Sequence, residues 1–367
     1  MVIKMVNSIK LFDPVVTSSE KNALVNVLSS KFWASGSGSG LVSKFENKIK
    51  KYLKSDACIA VNSGTAALNL AFSLFNIKNK EVILPSMSFV STAHCIIENG
   101  GIPIFVDIDP KTLCIDPEKI KHVISKKTAA IIPVHFGGMP CKLNEIHEIS
   151  KTHKLHVIED AAHAVGTKFN RKKIGTHSNV VCFSFHPVKN LAMPTGGLIS
   201  INDKNHKKLR DVLFSRRWCG ITNRHGTDYD VKELGWNYYM NEFSAAMGLV
   251  QLKKLKNLNK IRQKNAKRYF DELVCDRKLG FDRTGVYHFY WILIKNRDKL
   301  RKILLDKGIE TGTHYRPIHK FTMYDKKISL PNTEYAGKSI VTLPTHPNLT
   351  QNDLDQIIKT INRFERN

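Results

Sequence analysis

The stretch FSFHPVKNL, residues 183–191, follows the apolar run Val180-Val181-Cys182-Phe183 and delivers Lys189 into a loop just before Gly196-Gly197. A lysine held in a partly desolvated place loses its proton and can form a Schiff base with a carbonyl compound. A solvated lysine cannot, and the chain is rich in lysine, so Lys189 gains meaning only from its neighbours. Two other strand ends supply them. VNSGTAAL (61–68) runs an apolar stretch into Ser63-Gly64-Thr65, where a helical pattern starts. Free N–H groups and the positive end of a helix suit a phosphate there. Gly64 lets the backbone come close, and Ser63 and Thr65 add hydroxyls. The same residues also make an ordinary helix cap. HVIEDAAHAVG (156–166) ends a strand on Glu159-Asp160. A carboxylate at that place can ligate a metal, act as a base, pair with a cationic ring nitrogen, or cap a helix.

Together these parts fit one cofactor, pyridoxal phosphate. It needs a phosphate cradle, a carboxylate facing its pyridinium nitrogen and a lysine at its aldehyde carbon. Asp160 would keep the ring nitrogen protonated, and the ring would then accept the electrons released when a proton leaves Cα of a bound amino acid. PSMSFVSTA (85–93) adds Phe89 after the next strand, where a ring can stack on the pyridine; core packing is the plainer alternative.

The elements that must position these residues are legible as alternation. Apolar runs at 57–61, 81–85, 102–108, 129–136, 155–160, 180–185 and 197–201 are separated by stretches of helical period such as TAALNLAFSLF and LNEIHEISKTH. Strands alternating with helices predict an α/β fold with a mainly parallel sheet, whose ligands gather beyond the carboxyl ends of the strands. Residues 242–272 read as one long helix, and HFYWILI (288–294) with the last helix LTQNDLDQIIKTINRF predicts a smaller C-terminal α+β domain. With 367 residues the chain exceeds one usual core, so a large domain over 1–250 and a small one over 251–367 are expected.

The formal net charge of +25 raises the possibility of a nucleic-acid surface, but the basic residues are spread along the chain. The densest segment, 253–268, reads as the solvated face of an amphipathic helix whose apolar side is Leu252, Leu255, Leu258 and Ile261. Nucleic acid is therefore not the expected partner. No run approaches the roughly 18 apolar residues of a membrane span. The N-terminus lacks the apolar core of a signal peptide, and the seven scattered cysteines form no CxxC. These features predict a cytoplasmic protein with reduced thiols and no zinc module.

The sequence resembles the DegT/StrS-type sugar-nucleotide aminotransferases, pyridoxal phosphate enzymes of fold type I. The resemblance runs from WASGSGSGLVSKFENKIKKYL and NSGTAAL through DIDP, PVHFGG, IEDAAHAVGT, FSFHPVKNL and GWNYYMNEFSAAMGLVQLKKL to GIETGTHYRPIHK and LPTHPNLT. It implies that Lys189 carries the Schiff base and shuttles the proton, and that Asp160 binds the pyridinium nitrogen. Gly64, Thr65 and Ser184 would hold the phosphate, Phe89 would stack on the ring, and His163 would touch the ring or its phenolic oxygen. Asn237 would reach the phosphate from the neighbouring subunit, which implies a homodimer with shared active sites. His314 and Tyr315, the family's HY pair, would line the sugar pocket. Arg216 and Arg217 are candidates for the donor carboxylate or the nucleotide diphosphate, with a plain surface pair as the alternative. His319 is as readily a solvated histidine. Tyr239 stands where many members have Arg, and Thr195 where an acidic residue often precedes the two glycines.

The implied activity moves an amino group, with glutamate the expected donor, to a nucleotide-linked keto-sugar in amino-sugar or cell-surface glycan synthesis. Relatives with His in place of the lysine deoxygenate sugars; Lys189 favours transamination. A sugar dehydratase or an aminotransferase for a non-sugar ketone on the same scaffold is the nearest competitor. A non-catalytic basic binding protein is the remote one, against which the Lys189–Asp160 pair argues.

Overall fold

The computed structural model describes residues 8–324 and 327–366. Seven strands form the central sheet: β1 (Ala57–Val61), β2 (Glu81–Pro85), β3 (Ile102–Val106), β4 (Thr128–Ile131), β5 (His156–Asp160), β6 (Val180–Ser184) and β7 (Gly197–Ile201). Their spatial order is β1-β7-β6-β5-β4-β2-β3. All neighbours are parallel except β7, which runs antiparallel to both β1 and β6.

The sheet is covered on both faces, so its strands are mostly apolar and their alternate side chains join different cores. In β1, Cys58 and Ala60 enter one core; Ala57, Ile59 and Val61 enter the other. Three of the predicted runs end sooner than their apolar pattern, the sixth by one residue at Ser184. The third stops at Val106, because Asp107 turns aside to cap a helix, and the fourth at Ile131, shortly before Pro133, which has no N–H for the ladder.

The expected long helix spans Glu242–Glu272, capped by Asn241, whose side chain accepts the Ser244 N–H at 2.8 Å. Its inward stripe differs from the apolar one expected. Leu255 and Leu258 are buried, but Ile261 is exposed, and Asn259, Arg262 and Asn265 face in with them. The basic segment 253–268 is thus not wholly solvated, and burial brings Arg262 down to about 10. The inward asparagines have work: Asn259 accepts a hydrogen bond from Asn190, beside Lys189, at 3.0 Å and donates to the Val165 carbonyl. Asn190 also donates to the Val286 carbonyl at 3.1 Å. The lysine loop is therefore tied to the long helix and to the start of the C-terminal unit.

That unit pairs Tyr290–Leu293 antiparallel with Ile340–Leu343 and packs helices Arg297–Asp306, Pro331–Ser339 and Gln351–Arg366 around them. Hydrogen bonds from several segments bind it to the rest, two of them from distant parts of the chain. Ile9 bridges Ile309, with the Ile9 N–H donating to the Gly308 carbonyl at 2.7 Å. Asp107, at the end of β3, accepts the N–H groups of Asn332 and Thr333 and the Thr333 hydroxyl, capping a helix more than two hundred residues away. Among the described residues no helix is long and apolar enough to cross a membrane.

Candidate active site

A cavity of about 350 Å³ opens beyond the carboxyl ends of β1, β2, β4, β5 and β6. Gly64, Thr65, Phe89, Asp160, His163, Ser184, Lys189, His314 and Tyr315 all line it. Seven of these come from four stretches at the ends of strands that finish at the same edge of the sheet, and His314 and Tyr315 join them from the C-terminal unit.

At one end lies the first turn of the Gly64–Ser73 helix. Ser63 caps it by accepting the Ala66 N–H at 3.0 Å, and the described residues give no acceptor to the N–H groups of Gly64 and Thr65. A Cβ on Gly64 would stand 2.7 Å from the Ser184 Cβ, so only glycine allows this helix end and β6 to approach so closely. Gly197 is under the same constraint, since a Cβ there would meet the Ser63 carbonyl at 2.1 Å. The result is a donor-lined cradle with hydroxyls from Thr65 and Ser184.

Deeper in, Asp160 is buried. Its carboxylate accepts the Thr92 hydroxyl at 2.9 Å and the Ala162 N–H at 3.1 Å. Burial pushes its pKa up; these donors and the charge of Lys189 offset part of the rise. A cation facing the carboxylate would hold it ionised. Burial likewise brings Lys189 from 10.5 down to about 8, against the pull of Asp160. An amine in that range is available unprotonated near neutral pH.

The opposite wall is aromatic. His163 Nδ1 accepts the Gly137 N–H at 3.3 Å, which leaves its single proton on Nε2, 3.1 Å from the Tyr315 hydroxyl oxygen. Burial and then the Lys189 charge keep His163 well below the usual histidine range, so the ring stays neutral and donates to Tyr315. Tyr315 in turn keeps its own O–H free to donate toward the cavity. His314 is brought down to about 4 by burial, and its Nδ1 lies 2.8 Å from the Thr342 hydroxyl. Phe89 stands 55% exposed at the mouth, its ring 6.1 Å from that of Tyr315. Phe12 and His288, which local sequence reasoning did not single out, complete the wall. Both arrive from distant segments, and neither lies in a motif.

The model of the DegT/DnrJ/EryC1/StrS aminotransferase family matches residues 14–362. The chain belongs to this family. It is 32% identical over 371 residues to the spore coat polysaccharide biosynthesis protein SpsC of Bacillus subtilis, covering 95% of each chain. It is 32% identical over 375 residues to the uncharacterized protein MJ1066 of Methanocaldococcus jannaschii, covering 96% of each. Among solved structures it resembles PseC of Helicobacter pylori, an aminotransferase involved in the biosynthesis of pseudoaminic acid. The identity there is 26% and the TM-score 0.91, with 98% of this chain and 100% of that one covered.

Aminotransferases of this family depend on pyridoxal phosphate, and the cavity passes a physical test for it. The Gly64 cradle has room only where a side chain is missing, the buried carboxylate of Asp160 calls for a cation, and the amine of Lys189 is poised to lose its proton.

Three of the expected residues lie outside this aminotransferase's cavity. Asn237 is exposed in an adjoining depression with Ala34, Asn62, Tyr239 and Asn241, which shares Ser63 and Thr195 with the cavity. The two residues that depart from the family pattern thus sit together at the junction, with the Thr195 hydroxyl donating to the Asn62 carbonyl. Arg216 pairs with Glu233 at 2.7 Å and donates to the Ser73 carbonyl. Arg217 has no exposed surface: it pairs with Glu46 at 2.6 Å, donates to the Ala60 carbonyl and stacks on Phe214. Both arginines serve as fold contacts of β1 and its neighbours. His319 is buried, its Nδ1 2.6 Å from the Ser86 hydroxyl, and so is not a solvated histidine.

Proposed function

We propose that this aminotransferase moves an amino group from an amino acid, glutamate the expected donor, to a nucleotide-linked keto-sugar with pyridoxal phosphate held in the cavity. The observation that carries the reading is the convergence of Lys189, Asp160 and the Gly64 cradle on one cavity. When bound, the cofactor supplies an electron sink that makes the Cα proton of the donor acidic. The chain's own groups do the rest. The N–H groups of Gly64 and Thr65 and the Ser184 hydroxyl hold the phosphate. Asp160 holds a proton at the ring nitrogen. Phe89 and His163 fix the ring plane. Lys189 Nζ takes the proton from the donor Cα and, in the second half of the cycle, hands one to the sugar carbon that receives the amino group. SpsC and PseC are named for roles in carbohydrate synthesis, which supports a sugar acceptor for this chain.

A homodimer with shared sites belongs to the same reading. Leu234 is 79% exposed and Trp33, next in the chain to Ala34 of the depression that holds Asn237, is 49% exposed, and such exposed apolar side chains suit contact with a second copy. Asn237 would then serve the partner's phosphate cradle.

The test is product analysis. The protein is incubated with pyridoxal phosphate, ¹⁵N-glutamate and a panel of 3-keto and 4-keto hexoses linked to UDP, dTDP or GDP. A product sugar that retains ¹⁵N supports the proposal. A deoxygenated product without nitrogen points to the dehydratase, and a protein that binds no pyridoxal phosphate ends the enzymatic reading.

A further inference from the structure

His288 lines the cavity yet is only 2% exposed, and its Nδ1 has no hydrogen-bond partner. The ring cannot turn away to find one. It is sandwiched between Phe12, at 5.0 Å and 16° between planes, and His163, at 4.6 Å and 29°. Its backbone is pinned as well: the N–H donates to the Gly137 carbonyl at 2.8 Å, and the carbonyl accepts the Thr345 hydroxyl at 3.2 Å. The other two histidines of the wall differ. Both nitrogens of His163 are matched, and Nδ1 of His314 has Thr342. Nε2 has no protein partner among the described residues either, and unlike the enclosed Nδ1 it keeps accessible surface where the ring lines the cavity, so a ligand can supply its partner there. Burial keeps the ring neutral, so it makes no ion pair with a phosphate or carboxylate. It takes instead a neutral group that can donate or accept, and a hydroxyl does both. The ring belongs to the aromatic part of the lining, stacked on His163, which in turn stacks on Tyr315.

We infer that His288 is a specificity-determining residue that hydrogen-bonds one hydroxyl of the acceptor sugar, with Phe12 stacked behind it to fix the ring. The inference rests on the proposed keto-sugar activity. Phe12 belongs to the segment tethered by Ile9 to Gly308, so this irregular N-terminal segment supplies part of the acceptor's wall.

The test uses the full-length protein loaded with pyridoxal phosphate, and compares wild type with His288→Phe and His288→Asn. Phe keeps the aromatic stack and removes the nitrogens; Asn keeps a polar group. The probes are the keto-hexose panel above and, for the best of them, its singly deoxygenated analogues. The acceptor KM rises about tenfold to hundredfold in His288→Phe, while the rate at which glutamate converts the cofactor stays within about twofold. Wild type discriminates against one deoxy analogue, and His288→Phe does not. His288→Asn recovers part of the acceptor affinity. An unchanged acceptor KM overturns the inference, as does an equal loss in both half-reactions with loss of bound cofactor, since either leaves His288 a packing residue. A wild type that aminates no member of the panel overturns the proposed function and this inference with it. A wild type that aminates a sugar with no penalty for any deoxy analogue overturns this inference alone.

Discussion

In the cofactor-free protein, replacing Lys189 with methionine should stabilise the fold. The lysine is proposed to serve chemistry, and its charge sits half-buried in a cavity that disfavours it. A fall from 10.5 to about 8 corresponds to a ceiling of about 3 kcal/mol against the charged form at neutral pH. Water entering the open cavity lowers the realised figure to about 1–2 kcal/mol, a few degrees in Tm for a chain of this size. The sign follows from proton counting. Below pH 8 both folded and unfolded chains carry the proton, and the penalty is complete. Between 8 and 10.5 the folded chain gives the proton up first, so wild type regains stability as pH rises. The assay is thermal unfolding of the stripped wild type and Lys189→Met at pH 7 and at pH 10. A Tm advantage for the variant at pH 7 that shrinks at pH 10 is expected. Equal Tm values at pH 7, or a gap that does not change with pH, would mean that the lysine is solvated and refute the reasoning.

Other outcomes follow from the same geometry. Thr92→Val removes a hydroxyl bonded to the Asp160 carboxylate and should weaken pyridoxal phosphate binding by roughly tenfold to hundredfold, read by equilibrium dialysis. Gly64→Ala forces a Cβ against Ser184 and should cost about 1–3 kcal/mol, with cofactor affinity falling more than stability. Arg217→Met leaves Glu46 buried without its cation and should lower stability by about 3–5 kcal/mol in urea unfolding; if instead only the KM for donor or acceptor rises, the arginine is a ligand after all. If the proposed homodimer forms through this face, Leu234→Asp should shift light scattering from dimer to monomer and reduce activity with it.

The parts legible in the sequence are those in which a strand and its following loop are neighbours in the chain. Runs 57–61, 81–85 and 197–201 form strands at the expected residues, and the long helix spans 242–272 as its pattern predicts. Lys189, Asp160 and Gly64 stand out in the sequence because each ends or closely follows an apolar run, and all three line the one cavity. What stayed hidden depends on distant partners. Nothing near Phe12 or His288 in the chain announces a cavity wall, since their ring contacts are set by tertiary packing. Arg217 looks like any paired arginine until Glu46 appears beneath it, and the inward Asn259 contradicts an apolar stripe because its partner Asn190 lies in a loop 69 residues away in the chain.

The Ile9–Ile309 bridge also bears on the order of synthesis. The segment that carries Phe12 leaves the ribosome early, yet its pairing partner is made some three hundred residues later. Lys189, Asp160 and Gly64 all precede that partner, as do the strands that place them. A nascent chain stopped before Ile309 therefore has the reactive groups but lacks the bridge that fixes Phe12, and lacks His314 and Tyr315 altogether. Reactivity is assembled first along the chain, and the wall proposed to choose the acceptor is finished last.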